Sequence, residues 1–350
     1  MSKRHMFPGG NTSQGFVNFF DGIFPNWEFK KKCYILKGGP GVGKNTFMKY
    51  IGQVAEEKDL DVEYFHCASD STSFDGVRIP DLGIAVLDGT APHTMDPIYP
   101  GAFDQIWNLG DFLQEKKLTE KKEEIVYYNE QNQFCYKKTF GYLRAAGALE
   151  NISTDIYKKS LEDTKLQTHV EHLFLSPPKS VSSRISSFRK LFYSAFTPLG
   201  LIDYAPSLPA EDLIFYLDGP EPIGGIYLNL ALKYALNHGY HGEIFYSPLL
   251  PDQPLHLAIK DLNMYLTTKK PAVSTETILL SSFTDTSYLA REEEHLNFQR
   301  QEKNKLLEAA TSSLKESKNL HDKLEDIYHD CIDFSSVDAY CEKKIGEIFI

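Results

Sequence analysis

The chain has 350 residues, which is long enough for two ordinary domains that each bury a hydrophobic core. Its formal net charge of −11 argues against a broad nucleic-acid-binding face, because such a face is usually basic. The five cysteines form no Cys-x-x-Cys pair, and no run of about eighteen apolar residues occurs. We therefore expect a cytoplasmic protein that lacks a membrane span, a secretory signal and a disulfide scaffold.

The first strong pattern along the chain is a glycine-rich segment between a predicted strand and a predicted helix. Residues 33–36 form a short apolar run, as expected of a buried parallel strand. From Phe47 to Val54, apolar residues recur at helical spacing. Between these elements, Gly38 is followed after four residues by Gly43 and Lys44, which is the spacing of the phosphate-binding loop of P-loop proteins.

Glycines suit a phosphate-binding loop because several backbone N–H groups must approach one anion closely. The N-terminus of the helix that follows also favours an anion. The alternative is an ordinary glycine-rich turn, which the position of Lys44 disfavours. We therefore predict that residues 38–46, called the 38–46 loop, bind ATP. The predicted binding residues are Gly38, Gly39, Pro40, Gly41, Val42, Gly43, Lys44, Asn45 and Thr46.

Asn45 departs from the usual P-loop pattern. P-loops normally carry Ser or Thr after the lysine, and the hydroxyl group binds Mg²⁺. The amide oxygen of Asn45 is a less usual ligand for a hard cation, although Thr46 follows one residue later. We therefore expect phosphate binding to tolerate this residue better than rapid hydrolysis does.

Two further strands are predicted at residues 62–66 and 84–87. The second of them ends at Asp88, as a Walker B strand ends at the aspartate that holds magnesium. Because Asp88 and Gly89 also form a common turn dipeptide, a simple turn is the alternative. The predicted Mg²⁺ ligands are Asn45, Thr46 and Asp88.

Several polar residues near the ends of these strands are candidates for catalysis. His93 is a candidate phosphate sensor or general base, and Asp70 or Asp75 a candidate for orienting a water molecule. A structural role, such as a loop cap for the aspartates, is the alternative for each. Arg78 and Arg144 are candidates for stabilising charge, although a solvated surface arginine is commoner. The predicted catalytic residues are Lys44, Asp70, Asp88 and His93.

Two long charged segments, about residues 103–174 and 288–349, carry apolar residues at helical spacing. They predict long amphipathic helices that form a helical hairpin appended to each α/β core. One interpretation is a coiled coil that binds a protein partner. The alternative is that the helices pack on their own core or on the sister domain, and it is favoured because Ser317 and His321 interrupt the heptad pattern.

Colinear matches between the two halves of the chain indicate a tandem duplication of one module. In each copy, strands alternate with helices, which predicts an α/β fold with a P-loop-like parallel sheet flanked by helices. A segment rich in proline and serine, residues 177–183, separates the copies, so we predict domains at residues 1–183 and 184–350. The matching residues include Arg4 with Arg189, Phe7 with Phe192, Thr12 with Thr197, Gly15 with Gly200, and Gly38 with Gly219.

The second copy differs from the first at the residues that would bind phosphate. Gly225 is the expected counterpart of Lys44, and a Pro-Glu-Pro sequence at residues 220–222 replaces Gly-Pro-Gly. A glutamate in this place would repel a phosphate group. Thr267 or Thr268 stands where the first copy has Asp88. We therefore expect no ordinary nucleotide site in the second half.

The sequence resembles a largely uncharacterised family of bacterial P-loop ATPases. The resemblance is carried by the 38–46 loop and by residues 4–16, 64–67 and 88–93. That family occurs chiefly in Gram-positive, often spore-forming bacteria and has two tandem P-loop modules. The resemblance is strong over residues 4–110 and weaker after them. It implies ATP binding and hydrolysis but no known substrate. The residues to which it extends these roles are Gly38, Gly43, Lys44, Asp88 and His93.

The sequence therefore predicts an ATP-binding protein, an ATPase with one competent site that uses Mg²⁺. A small-molecule or nucleotide kinase would use the same loop, but the sequence has no evident cluster of lid arginines. A scaffold that binds ATP without hydrolysis, and so orients the long helices for a protein partner, is the other alternative. Asn45 motivates this last hypothesis.

Overall fold

The computed structural model describes residues 2–25, 29–91, 94–174, 186–205 and 213–349. The strands of the first half are β1 (Lys3–Met6), β2 (Gly9–Thr12), β3 (Gly15–Asn18), β4 (Lys32–Lys37), β5 (Val62–His66), β6 (Phe74–Ile79), β7 (Ile84–Asp88) and β8 (Asp104–Asn108). Its helices are α1 (Lys44–Glu57), α2 (Glu115–Glu120), α3 (Lys122–Ser160) and α4 (Asp163–Leu173).

The second half repeats these elements in the same order. Its strands are β9 (Phe188–Leu191), β10 (Ser194–Thr197), β11 (Gly200–Asp203), β12 (Leu213–Asp218), β13 (Gly242–Tyr246), β14 (Pro254–Ile259), β15 (Met264–Thr267) and β16 (Glu276–Leu279). Its helices are α5 (Glu221–Asn237), α6 (Thr286–Arg291), α7 (Glu293–His329) and α8 (Phe334–Ile348). The predicted boundary near residue 183 lies outside the described residues.

Each half contains a six-stranded mixed sheet. The strand order is β1-β5-β6-β7-β4-β8 in the first and β9-β13-β14-β15-β12-β16 in the second, so each strand has a counterpart in the same place. The α/β class and a duplicated layout agree with the prediction. The strands β2 and β3, like β10 and β11, form a separate antiparallel hairpin.

The predicted parallel sheet is mixed in both halves, because one strand of each sheet is antiparallel. β6 and β14 run antiparallel to both of their neighbours, and the other pairs are parallel. β6 follows β5 through residues 67–73, a connection without the crossover helix that a parallel neighbour usually needs. The sequence did not indicate β6 because Asp75 and Arg78 interrupt its apolar pattern.

The two long helices, α3 and α7, pack antiparallel against each other. The ammonium group of Lys138 in α3 is 2.6 Å from the Glu316 carboxylate in α7, and the Ser153 hydroxyl donates to Gln299 at 2.6 Å. Apolar residues of both helices are buried between them and the second half. α3 therefore packs on the sister half and α7 on its own half, as one of the two interpretations predicted.

The helices that follow α3 and α7 are exchanged between the halves. Leu166 and Val170 of α4 are buried in the core of the second sheet, with Phe283. Ile345 and Ile348 of α8 are buried in the core of the first sheet. Their neighbours there include Tyr34, Phe47 and Trp107. Each half therefore depends on the other for a helix that covers its core.

Buried charges join the two sheets at their edge strands. Arg4 lies 3.0 Å from the carboxylate of Glu63 and 2.6 Å from that of Glu243, and Arg189 lies 3.1 Å and 3.4 Å from the same two groups. Arg78 of β6 is 2.9 Å from Glu63. Burial opposes ionisation of Glu63, but the three guanidinium groups outweigh it and lower the pKa of this carboxyl to about 2.

Among the helices of the described ranges, none combines the length and the apolar character that crossing a bilayer requires. The longest, α3 and α7, have charged residues along much of their length.

Candidate functional site

The 38–46 loop connects the end of β4 to the start of α1. Gly38, Gly41 and Gly43 have φ angles of +147°, +67° and +91°, backbone values that residues other than glycine rarely adopt. The helix begins at Lys44, and no side chain caps its N-terminus with a hydrogen bond. The free amides of the first turn and the helix dipole therefore favour an anion at this end of α1.

Lys44 folds back over the loop. Its ammonium group donates to the carbonyl oxygens of Gly38 at 3.2 Å and Gly39 at 2.7 Å. It also lies 3.6 Å from Oδ2 of Asp88. The charge of Lys44 is thus placed between the loop and the carboxyl end of the neighbouring strand.

Asp88 ends β7, the strand that pairs with β4, and lies opposite Leu36 in that pairing. Its Oδ1 accepts the N–H of Thr90 at 2.9 Å and the Thr90 hydroxyl at 2.6 Å. One oxygen therefore serves a turn, and the other faces Lys44. The structure brings Asp88 and Lys44 together, and the turn that was the alternative for Asp88 is also present.

Asn45 is held by both polar atoms of its amide. Its Oδ1 accepts the N–H of Phe74 at 3.1 Å, and its Nδ2 donates to the Ser73 hydroxyl at 3.1 Å. The side chain thereby ties the first turn of α1 to the start of β6. Thr46 is exposed. Within the described residues, no three His, Cys, Asp or Glu side chains are grouped so that they could hold a metal ion.

Asp70 lies in the connection between β5 and β6. Its Oδ1 accepts the N–H and the hydroxyl of Thr72, and its Oδ2 accepts the Ser73 hydroxyl at 3.1 Å and is 3.3 Å from the Lys318 ammonium. Burial opposes ionisation, but the hydrogen bonds and the charge of Lys318 outweigh it and lower the pKa of Asp70. This arrangement favours the loop-cap interpretation over a role as general base.

The other candidates are spread over the molecule. Asp75 is buried on β6, and Arg78 belongs to the ion pairs between the sheets rather than to the loop. Arg144 lines a groove of about 460 Å³ between α3 of the first half and α5 of the second, together with Lys158. His93 lies outside the described residues.

The outer side of the 38–46 loop lies against the second half. A Cβ atom on Gly39 would be 2.6 Å from the ring of Tyr328, and one on Gly41 would be 2.6 Å from the carbonyl oxygen of Glu325, both in α7. Val42 is buried beside α8. The sequence does not predict these contacts, because an amphipathic pattern shows that a helix packs but not on which sheet.

The corresponding loop of the second half has become helical. α5 begins at Glu221, directly after Pro220, and the Glu221 carboxylate is 2.6 Å from the Lys269 ammonium. A Cβ on Gly224 would be 2.5 Å from Thr268, the residue that follows β15 as Asp88 ends β7. Gly224, not Gly225 as predicted, therefore occupies the place of Lys44, because this connection is one residue shorter.

Comparison with protein-family models, curated proteins and solved structures finds no match to this chain. The resemblance to tandem P-loop ATPases therefore stays a prediction. The geometry of the 38–46 loop and its surroundings is the basis for a functional proposal.

Proposed function

We propose that this protein binds ATP at the 38–46 loop. The observation that carries the proposal is the placement of Lys44 at the uncapped N-terminus of α1, beside a loop with three glycines at positive φ. The backbone amides and the lysine would together hold a phosphate group. In the described residues of the second half, a helical turn replaces the loop and glycine replaces the lysine.

The residues present fit a magnesium nucleotide in part. When bound, Mg²⁺ would neutralise phosphate charge, and it usually takes only one or two protein carboxylates, with phosphates and water completing its shell. Asp88, 3.6 Å from the Lys44 ammonium, is the carboxylate in the right place. Asn45 fits less well, because its amide oxygen accepts the Phe74 N–H.

We infer an ATPase activity that is slow, since Asn45 and Asp70 are committed to the turn before β6. The nucleotide-responsive scaffold is the second candidate, and the contact of the loop with α7 favours it. In that case ATP would bias the position of the long helices for a partner. The five free cysteines fit the reducing cytoplasm that we propose as the location.

The test is calorimetric titration with ATP, with and without Mg²⁺, on the wild type and Lys44→Ala. We expect the substitution to weaken binding about tenfold or more, as loss of a charged hydrogen-bonding group does. Lys233→Ala, which removes an exposed lysine of α5, is the matched control. If Lys44→Ala bound ATP as tightly as the wild type, the proposal would fail.

Phosphate release separates the two candidate functions. An ATPase should release phosphate from ATP in the wild type and lose this activity in Lys44→Ala. A scaffold should bind ATP without turnover, and Asn45→Ser should then introduce turnover by supplying the usual hydroxyl.

A further inference from the structure

A chain of polar contacts connects the first turn of α1 to α7, a helix of the second half. Nδ2 of Asn45 donates to the Ser73 hydroxyl at 3.1 Å, and that hydroxyl donates to Oδ2 of Asp70 at 3.1 Å. The same oxygen of Asp70 is 3.3 Å from the ammonium group of Lys318. We call these four residues the relay. It crosses from one half of the chain to the other.

The relay occurs on one side of the duplication only. Strand register and position along the long helices give each member a counterpart in the second half. Three of the four counterparts have no polar side-chain group, and the fourth, Gln253, has an amide in place of the hydroxyl. The counterparts of Asn45, Ser73, Asp70 and Lys318 are Gly225, Gln253, Leu250 and Gly147. The common fold therefore does not require the relay, which accompanies the half that carries Lys44.

The orientation of Asn45 matters because this residue directly follows Lys44. In P-loop proteins the side chain at this position holds the magnesium ion. Here the amide oxygen points to the backbone N–H of Phe74, at 3.1 Å. We expect metal ligation by Asn45 to require that the side chain turn away from Phe74. Anything that fixes the turn before β6 opposes this movement.

Lys318 fixes that turn from outside the first half. Its ammonium group is paired with Asp70 and also with Asp322 of α7, and its side chain is 24% exposed. Asp70 in turn organises residues 70–73 through the hydrogen bonds from Thr72 and Ser73. Removal of the Lys318 charge would abolish the ion pair that ties this turn to α7.

We propose that Lys318 is a positioning residue for the nucleotide site. Through Asp70 and Ser73, Lys318 holds Asn45 against Phe74. This inference rests on the proposed function, from which it takes ATP as the ligand. Its new content is that α7 controls how strongly Mg²⁺ promotes ATP binding. Loss of the Lys318 contact frees the amide oxygen of Asn45, so the gain in ATP affinity on adding Mg²⁺ increases.

The experiment compares Lys318→Met with Lys315→Met, an exposed lysine of α7 for which the structure gives no contact with the turn. Hydrogen exchange of the Phe74 amide is measured in the nucleotide-free full chain. We expect exchange about tenfold faster in Lys318→Met and unchanged in the control. Asp70→Asn cuts the relay at a second point and should act in the same direction if Lys318→Met folds poorly.

ATP titrations with and without Mg²⁺ supply the second readout. We expect the Mg²⁺-dependent gain in affinity to rise about fivefold in Lys318→Met. The double variant Lys318→Met/Asn45→Ala should match Asn45→Ala alone, because both changes act through one side chain. A merely structural lysine would not change the ratio measured with and without Mg²⁺.

Additive effects of the two substitutions, or an unchanged exchange rate at Phe74, would overturn the inference. The inference would also fail if exchange became faster while the Mg²⁺ dependence stayed constant. If the wild type bound no ATP, the proposed function would fail, and the exchange rate of Phe74 would still decide whether Lys318 holds Asn45.

Discussion

The two halves have the same strand order and the same order of helices, yet they differ where β4 and β12 lead into a helix. In the first half the connection is an open glycine-rich loop with Lys44 at its end. In the second half it is one residue shorter, and α5 begins earlier, at Glu221. Both halves keep the sheet because apolar packing requires it, whereas the proposed phosphate-binding geometry depends on a few residues in one connection.

A second difference concerns the long helix that each half receives from the other. α7 lies against the 38–46 loop and contributes Lys318, whereas α3 has Gly147 at the corresponding position and leaves an open groove beside α5. Helices of the same origin therefore play unequal roles. In this chain the close contact with α7 thus occurs in the half that carries Lys44.

The largest expected effect comes from removing the contribution of α8 to the first half. Replacing Ile345 and Ile348 together by alanine should lower the free energy of unfolding by about 4 kcal/mol or more, since each substitution leaves a cavity in the core. Urea unfolding followed by the fluorescence of the buried Trp107 measures the loss. Ile152→Ala, at an exposed site of α3, should change stability by less than about 0.5 kcal/mol.

This prediction distinguishes the halves, because the helix that covers the second core, α4, is untouched. Amide exchange in β12 and β15 should remain slow under conditions where β4 and β7 exchange. Simultaneous loss of protection in both sheets would contradict the assignment of α8 to the first core.

The next effect concerns the ion pairs between the sheets. Arg189→Met should cost about 3–5 kcal/mol of stability, because it leaves the buried carboxylates of Glu63 and Glu243 with fewer partners. Its counterpart Arg4 is 12% exposed, compared with 1% for Arg189, so Arg4→Met should cost less. Equal losses of unfolding free energy in urea would show that burial does not distinguish the two arginines. Arg291→Met, at an exposed site, is the control.

The smallest effect is expected in the loop itself. Gly41→Ala should destabilise the protein by about 1–3 kcal/mol, because Gly41 has φ of +67° and the new Cβ would meet the carbonyl oxygen of Glu325 at 2.6 Å. Gly141→Ala is the control, since Gly141 lies within α3 with no atom within 4 Å of the new Cβ. That change should stabilise the helix by about 0.5–1 kcal/mol. Thermal unfolding of both variants gives the comparison, and a neutral Gly41→Ala would argue against the contact between the loop and α7.

Much of the fold could be predicted because its signals are local. Apolar runs indicated β4, β5 and β7, and the duplication was readable from colinear matches. β6 was missed because its charged residues, Asp75 and Arg78, are buried by ion pairs and other contacts that only the assembled sheets provide. The spacing of Gly38, Gly43 and Lys44 correctly indicated a loop between a strand and a helix.

The surroundings of the candidate site could not be predicted in the same way. The contacts of Glu325 and Tyr328 with the loop depend on where the C-terminal end of α7 lies once the helix has packed along α3. Helical periodicity does not predict which part of the protein a helix contacts. The hydrogen bonds of Asn45 could not be predicted either, because its partners Ser73 and Phe74 lie at the start of a strand that the sequence did not indicate.

The exchange of α4 and α8 also sets an order of assembly. During synthesis the first sheet and α1 emerge long before α8, so the part of the apolar face that α8 covers stays exposed while the second half is made. The second sheet, in contrast, is synthesised after α4, so the helix that covers its core is already available. The half that carries the candidate ATP site is therefore the later of the two to complete its core.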